Sequence, residues 1–107
     1  MKCNFTTEEL KLFPYPNLEA EWMLSPYSVE DIADCLGISR GENCEQEVLK
    51  RMCGGDVSAL EAVNLANLFN AHLYYLFDKE LRLIGDEPVA RIRWELMNCI
   101  PFKARCW

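Results

Sequence analysis

The chain has a single histidine, no Cys-x-x-Cys pair, and no uninterrupted apolar run near the ~18–20 residues of a membrane-spanning helix. Each scarcity removes a class of function. One histidine with scattered cysteines cannot supply a zinc-ligand set at the usual spacing, so no metal is expected. His72, flanked by Leu73 and Tyr74, reads as a packed or partly exposed residue and not as a catalytic base. There is no glycine-rich loop to cradle phosphate, no G-x-S-x-G and no H-E-x-x-H. With no catalytic constellation, the expectation is a protein that is not an enzyme and needs no cofactor. Positive charge is also short: 11 Lys and Arg face 17 Asp and Glu, a formal net of −6, which opposes wholesale wrapping of a phosphate backbone. The first ten residues carry neither a basic segment nor an apolar one of signal-peptide type, so a reducing cytoplasm is the expected compartment. There Cys3, Cys35, Cys44, Cys53, Cys99 and Cys106 serve mostly as small apolar residues and not as a disulfide framework. Cys106, beside Trp107, is the one expected to be exposed and reactive.

What is present suits one domain: 107 residues, half of them hydrophobic. The charge is uneven. Residues 1–55 carry 5 basic and 10 acidic side chains, against 6 and 7 in residues 56–107. After Pro88 the basic Arg91, Arg93, Lys103 and Arg105 face only Glu95, so any phosphate-facing patch is sought there.

Residues 1–16 read as an N-terminal arm, with Thr6 or Thr7 capping a short turn through Glu8, Glu9 and Leu10, and with Pro14 and Pro16 imposing extension. Asn17 reads as the N-cap of a helix from Leu18 to Leu24, with Glu19 and Glu21 in its first turn, ended by Pro26. Ser28-x-x-Asp31 opens the clearest signal, a short helix stopped by Gly37, with Ile38 as an apolar plug. A third helix is predicted from Cys44 to Met52, ended by Gly54-Gly55. A fourth, capped by Ser58 with Glu61 at the capping-box position, is predicted to be central to the core. A fifth, from Ala71 to Phe77, packs back across it. Trp22 and Trp94 are expected in the core.

Beyond Phe77 two readings stand. Ala90, Ile92, Trp94 and Leu96 alternate with Arg91, Arg93 and Glu95 as in a half-buried strand, and residues 81–84 would be its hairpin partner. The same residues allow a helix from near Pro88 with Val89, Ile92, Leu96 and Ile100 on one face and an Arg91–Glu95 pair outside. The complete alternation favours the hairpin. The fold class predicted is mainly α, a compact four- to five-helix domain over residues 17–77 with a C-terminal extension, 78–107.

Several pieces in order carry a resemblance: Asn17-Leu18-Glu19-Ala20-Glu21, the 28–39 segment with small Ala33 and turn-forming Gly37, Val48 to Gly55, Leu60 to Phe69, and Tyr75-Leu76-Phe77. Together they resemble the lambda-repressor and Cro type of phage helix-turn-helix domain. The resemblance implies a compact helical domain whose third helix, here roughly Glu45 to Cys53, lies in the DNA major groove, in a dimer on a palindromic operator. Two departures stand out. The segment between Ser39 and Val48 is longer than the family's turn by about five residues. Glu42, Glu45 and Glu47 also gather at the N-terminal end of the reading helix, where carboxylates repel phosphate.

The leading expectation is therefore a phage or mobile-element transcriptional regulator that binds DNA through Gln46, Lys50 and Arg51, helped by Arg91 and Arg93. Gln46 would read adenine and the cations would hold phosphate. The alternative is an acidic inhibitor on the same scaffold, of anti-CRISPR, antirepressor or antitoxin type. There Glu42, Glu45 and Glu47 would occupy the basic groove of a nucleic-acid-binding protein. A homodimer is a further expectation of the first reading; a membrane partner is expected of neither.

Overall fold

The computed structural model describes residues 6–99, with side chains to Met97. Cys106, Lys103 and Arg105 lie outside the described residues. Among the described residues seven helices and one small hairpin follow in order: α1 (Thr7–Leu10), α2 (Pro16–Leu24), α3 (Val29–Leu36), α4 (Cys44–Met52), α5 (Ala59–Phe69), α6 (Leu73–Leu76), β1 (Leu83–Ile84), β2 (Glu87–Pro88) and α7 (Val89–Cys99). The protein is a compact, mainly α-helical domain with a small C-terminal β-hairpin.

Local chemistry sets most helix ends. Thr6 Oγ1 accepts from the Glu9 N–H at the head of α1. The Ser28 hydroxyl accepts from Asp31 N–H while the Asp31 carboxylate accepts from Ser28 N–H, so the shorter acid closes a full capping box. Gly37 then takes φ 73°, and Ile38 N–H turns back to Ala33 O at 2.9 Å, the hydrogen bond that ends a helix in the left-handed region. Ser58 and Glu61 form the same box on α5. His72 is a cap too: its Nδ1 accepts from Tyr74 N–H. Gly55, at φ 76°, lies so close to Pro14 that a Cβ there would meet the proline ring at 2.8 Å, which fixes the chain after α4 against the entry to α2.

The core has two parts on either side of α2. Leu18 joins Ile32, Ala33, Leu36, Val48, Met52, Leu65, Phe69 and Leu76, whereas Ala20 and Met23 join Leu10 and Ala90. α2, not α5, is thus the central helix: it is buried from Pro16 to Glu21, while Leu60 and Val63 of α5 face solvent. The capping role predicted for Asn17 is also corrected. Pro16 takes the first helical position, where its missing N–H costs nothing, and Asn17 sits inside the helix, buried. Its side chain donates to Tyr75 O and Glu80 O and accepts from Arg82 N–H, holding the segment after α6.

The C-terminal extension combines both readings: a short hairpin is followed by a helix that starts at Val89, as the second reading has it, with Arg91 and Glu95 paired at 3.2 Å on its outer side. The hairpin is two residues long per strand, pairing Leu83 with Pro88 and Ile84 with Glu87 around Gly85 at φ 64°. The alternating residues 90–96 are helical. Of the apolar face expected for that helix, Val89 and Ile92 are half-buried, Leu96 is 56% exposed and Ile100 lies outside the described residues, while Ala90, Arg93 and Trp94 turn toward α2 and its partners. The cause is a buried acid. Glu21, fully buried, accepts from Tyr75 Oη at 2.8 Å, from Trp94 Nε1 at 3.1 Å and from Arg93, which also donates to Asn70 O at 2.7 Å. Polar partners, not apolar periodicity, set the rotation of α7, and α7 packs on α2.

Replacing Arg93 by Ala leaves the Glu21 carboxylate buried without its counter-charge. The expected loss is about 3 kcal/mol of stability, read as a lowered midpoint in urea unfolding, with Arg91→Ala as the exposed control.

Candidate functional site

α3 packs on both α4 and α5, with buried Ala33 and Ile32 giving the close approach, and α4 turns Val48 and Met52 inward. That leaves Glu45, Gln46, Leu49 and Lys50 on the outer face. Residues 37–43 join the two helices, a longer path than the roughly three- or four-residue turn of a tight helix-turn-helix. Within it Arg40 folds back on Asp34 with Nη2–Oδ2 at 2.7 Å. Glu42 is exposed just ahead of α4.

The structure treats the sequence-derived site residues unequally. Gln46 and Lys50 are exposed on α4, and Lys50 Nζ lies 3.6 Å from Asp56. Arg51 is held between Glu47 at 2.8 Å and Glu61 at 2.7 Å, and these two carboxylates raise its pKa further. It ties α4 to the first turn of α5. Arg91 lies on the exposed side of α7 between Glu87 and Glu95, and Arg93 is turned inward to Glu21. Arg91 and Arg93 belong to the helix on α2, whereas Gln46, Lys50 and Arg51 belong to the helix on α3. Arg82 pairs with Asp78, so every arginine of the described residues is in an ion pair. By contrast Glu42 and Glu45 form no ion pair among the described residues. Glu47, which does, is half-buried.

Two features had no clear sequence signal. The first is a buried contact under the C-terminal end of α4: the Cys53 thiol donates to Glu19 Oε2 at 3.4 Å. Burial pushes the Glu19 carboxyl above its ordinary value, with the thiol's hydrogen bond opposing only in part. Burial and the adjacent Glu19 push Cys53 up to about 12, so this thiol is a poor nucleophile at neutral pH. The second is an apolar groove of about 380 Å³ lined by Tyr15, Val57, Ala62, Val63, Leu73 and Phe77. Tyr74 stands at its edge, 81% exposed, so the 71–77 segment presents part of itself to solvent and does not simply pack across α5. Adjacent tyrosines at 74 and 75 on a single helical turn were the available hint, since neighbouring positions on a helix point about 100° apart.

Among the described residues no group of three or more His, Cys, Asp or Glu is arranged to hold a metal, and no helix is long and apolar enough to cross a membrane. Comparison with models of known families, with curated proteins and with solved structures finds no match to this chain.

Because the folded state holds Glu19's proton more tightly than the unfolded chain does, its contribution to stability is full below the ordinary carboxyl value of 4.5 and falls as pH rises through the raised one. Denaturant unfolding across that range, compared with Glu19→Gln, is expected to show the wild type losing ground to the variant as pH increases. A difference independent of pH would mean that Glu19 titrates normally.

Proposed function

We propose that the chain is a small binding domain of helix-turn-helix type whose α4 is offered to a protein and not to DNA, its acidic end entering a basic nucleic-acid-binding surface of the partner. One observation carries the reading: all five described arginines are engaged by carboxylates of the chain itself, while Glu42 and Glu45 at the outer end of α4 have no such partner. Binding to a phosphate backbone draws on cations available to replace condensed counterions, and two carboxylates at the leading end of the helix add repulsion. The same carboxylates favour a basic protein surface, accelerate encounter with it and discriminate against acidic ones. The net charge of −6 acts in the same direction.

A second reading rests on Gln46 and Lys50. Gln46 is exposed with no intramolecular hydrogen bond among the described residues, and the Lys50–Asp56 contact is an exposed pair of the kind worth little. Both side chains remain available to a DNA groove, which keeps the regulator as the rival.

Titration of fluorescent random-sequence duplex DNA at two salt concentrations separates the two. The expected result is no binding by the wild type at low salt, and salt-dependent binding gained by the double variant Glu42→Lys, Glu45→Lys. Glu47 is left in place because it holds Arg51. Steep salt-dependent binding by the wild type, weakened by Lys50→Ala, would overturn the proposal and assign the regulator.

A further inference from the structure

Two acids of α2, Glu19 and Glu21, are both buried, and the structure serves them unequally. Glu21 accepts from Tyr75, Trp94 and Arg93, the last of which is also its counter-charge. Glu19, 4% exposed, has one side-chain donor among the described residues, the Cys53 thiol at 3.4 Å, and no cation bears on it. A thiol is a weak donor, so it does little to offset the cost of keeping a carboxylate out of water. The contact also sits beside a hinge. Cys53 closes α4 with its N–H on Leu49 O, and Gly54 and Gly55 follow, a pair free to take conformations that other residues resist. Gly55, at φ 76°, lies close against Pro14 just ahead of α2.

We infer that Glu19 and Cys53 form a proton-operated latch: with the carboxyl protonated the stretch 53–56 is closed on α2, and ionisation releases that stretch while the helices on either side stay folded. The released side is the one with the weaker hold. α2 is buried from Pro16 to Glu21, whereas residues 53–56 are half-buried or exposed, and the Lys50–Asp56 contact across them is an exposed pair of the kind worth little. Arg51 still ties α4 to Glu61 of α5 when the stretch opens. The other ionisable groups on the elements around α2 have partners of their own. Lys50 and Arg51 of α4 face Asp56, Glu47 and Glu61, and Tyr75 of α6 and Arg93 of α7 are turned to Glu21. Arg91 lies between Glu87 and Glu95, and on α1 Lys11 pairs with Glu8 while Glu9 accepts from the Thr6 hydroxyl. Burial holds the Glu19 carboxyl above its ordinary value, with the thiol opposing only in part. Opened to water the carboxyl returns to that ordinary value, so loss of the proton favours the open form.

Amide hydrogen exchange on the full chain tests the latch, with each rate divided by that of an unprotected amide at the same pH because exchange is itself catalysed by base. The reporters are the amides of Cys53 and Gly54, both bonded to Leu49 O, and those of Leu65 and Phe69 in the core mark global unfolding. In the wild type the reporters are expected to be less protected than the core at every pH. Their protection is expected to fall as pH rises above 4.5, by at most about tenfold per unit, and to level off once the closed carboxyl ionises. In Glu19→Gln, neutral throughout, it is expected to stay constant. Cys53→Ser puts a stronger donor on the same oxygen and is expected to level off at lower pH, a comparison that holds even where the glutamine variant does not fold. Constant protection in the wild type, or an equal fall in Glu19→Gln, would overturn the latch. So would a Cys53→Ser curve that levels off where the wild type does. Reporters as protected as Leu65 and Phe69 would overturn it too, since the charge on Glu19 would then be felt only in global unfolding.

Discussion

The Glu21 carboxylate, fully buried in the central helix, is the constraint around which the molecule is arranged. An anion taken out of water must find donors nearly all round it, and here they come from α6 through Tyr75 and from α7 through Trp94 and Arg93. Arg93 in turn covers Asn70 O at the end of α5, where Asn70 takes the left-handed conformation at φ 50°. One acid therefore brings α2 together with three helices that come much later in the chain, α5, α6 and α7. Replacing the cluster with apolar residues of similar volume would cost little stability. What the charge provides is rotation: only one setting of α7 brings an arginine and a tryptophan, adjacent in sequence, onto the same oxygen.

That division also explains what the sequence disclosed. Ser28, Asp31, Gly37, Ser58 and Glu61 act through atoms three to five residues away, and the helices they bound lie where reading predicts, as does the span of α4. Local chemistry is legible because its partners are local. Asn17, Glu19 and Glu21 suited the start of a surface helix equally well, and nothing nearby announced that their partners were residues 75–82, 53 and 93–94. The alternation over residues 90–96 misled for the same reason, since apolar periodicity does not register a polar residue that must face inward. Of the candidate site, α4 and its acidic end were visible. The engagement of Arg51 with both Glu47 and Glu61 was not, because the second contact spans the connection into the next helix. The groove drew on residues from three separate stretches of chain and left only the paired tyrosines as a trace.

For function, the relevant quantity is the cations left over after folding, not the charge written in the sequence. The chain holds its arginines in pairs that fix α4 to α5, α7 to α2 and the 37–43 segment to α3. Among the carboxylates left without an ion pair in the described residues, Glu42 and Glu45 stand together where α4 begins. On the protein-binding reading proposed above, a helix held by its neighbours on one side and by Arg51 at its far end would offer its acidic end as a rigid element, which lowers the conformational entropy lost on binding.

Asn17 has a consequence for motion. Its amide serves Tyr75 O, Glu80 O and Arg82 N–H, so one side chain does for the irregular stretch 75–82 what a neighbouring strand would do in a sheet. The amide proton of Arg82, outside any regular element, is thereby shielded as if it lay in one. Its exchange with solvent follows the opening of α2 and not the fraying of a loop, which makes a residue that looks peripheral by its place in the chain report on the innermost helix.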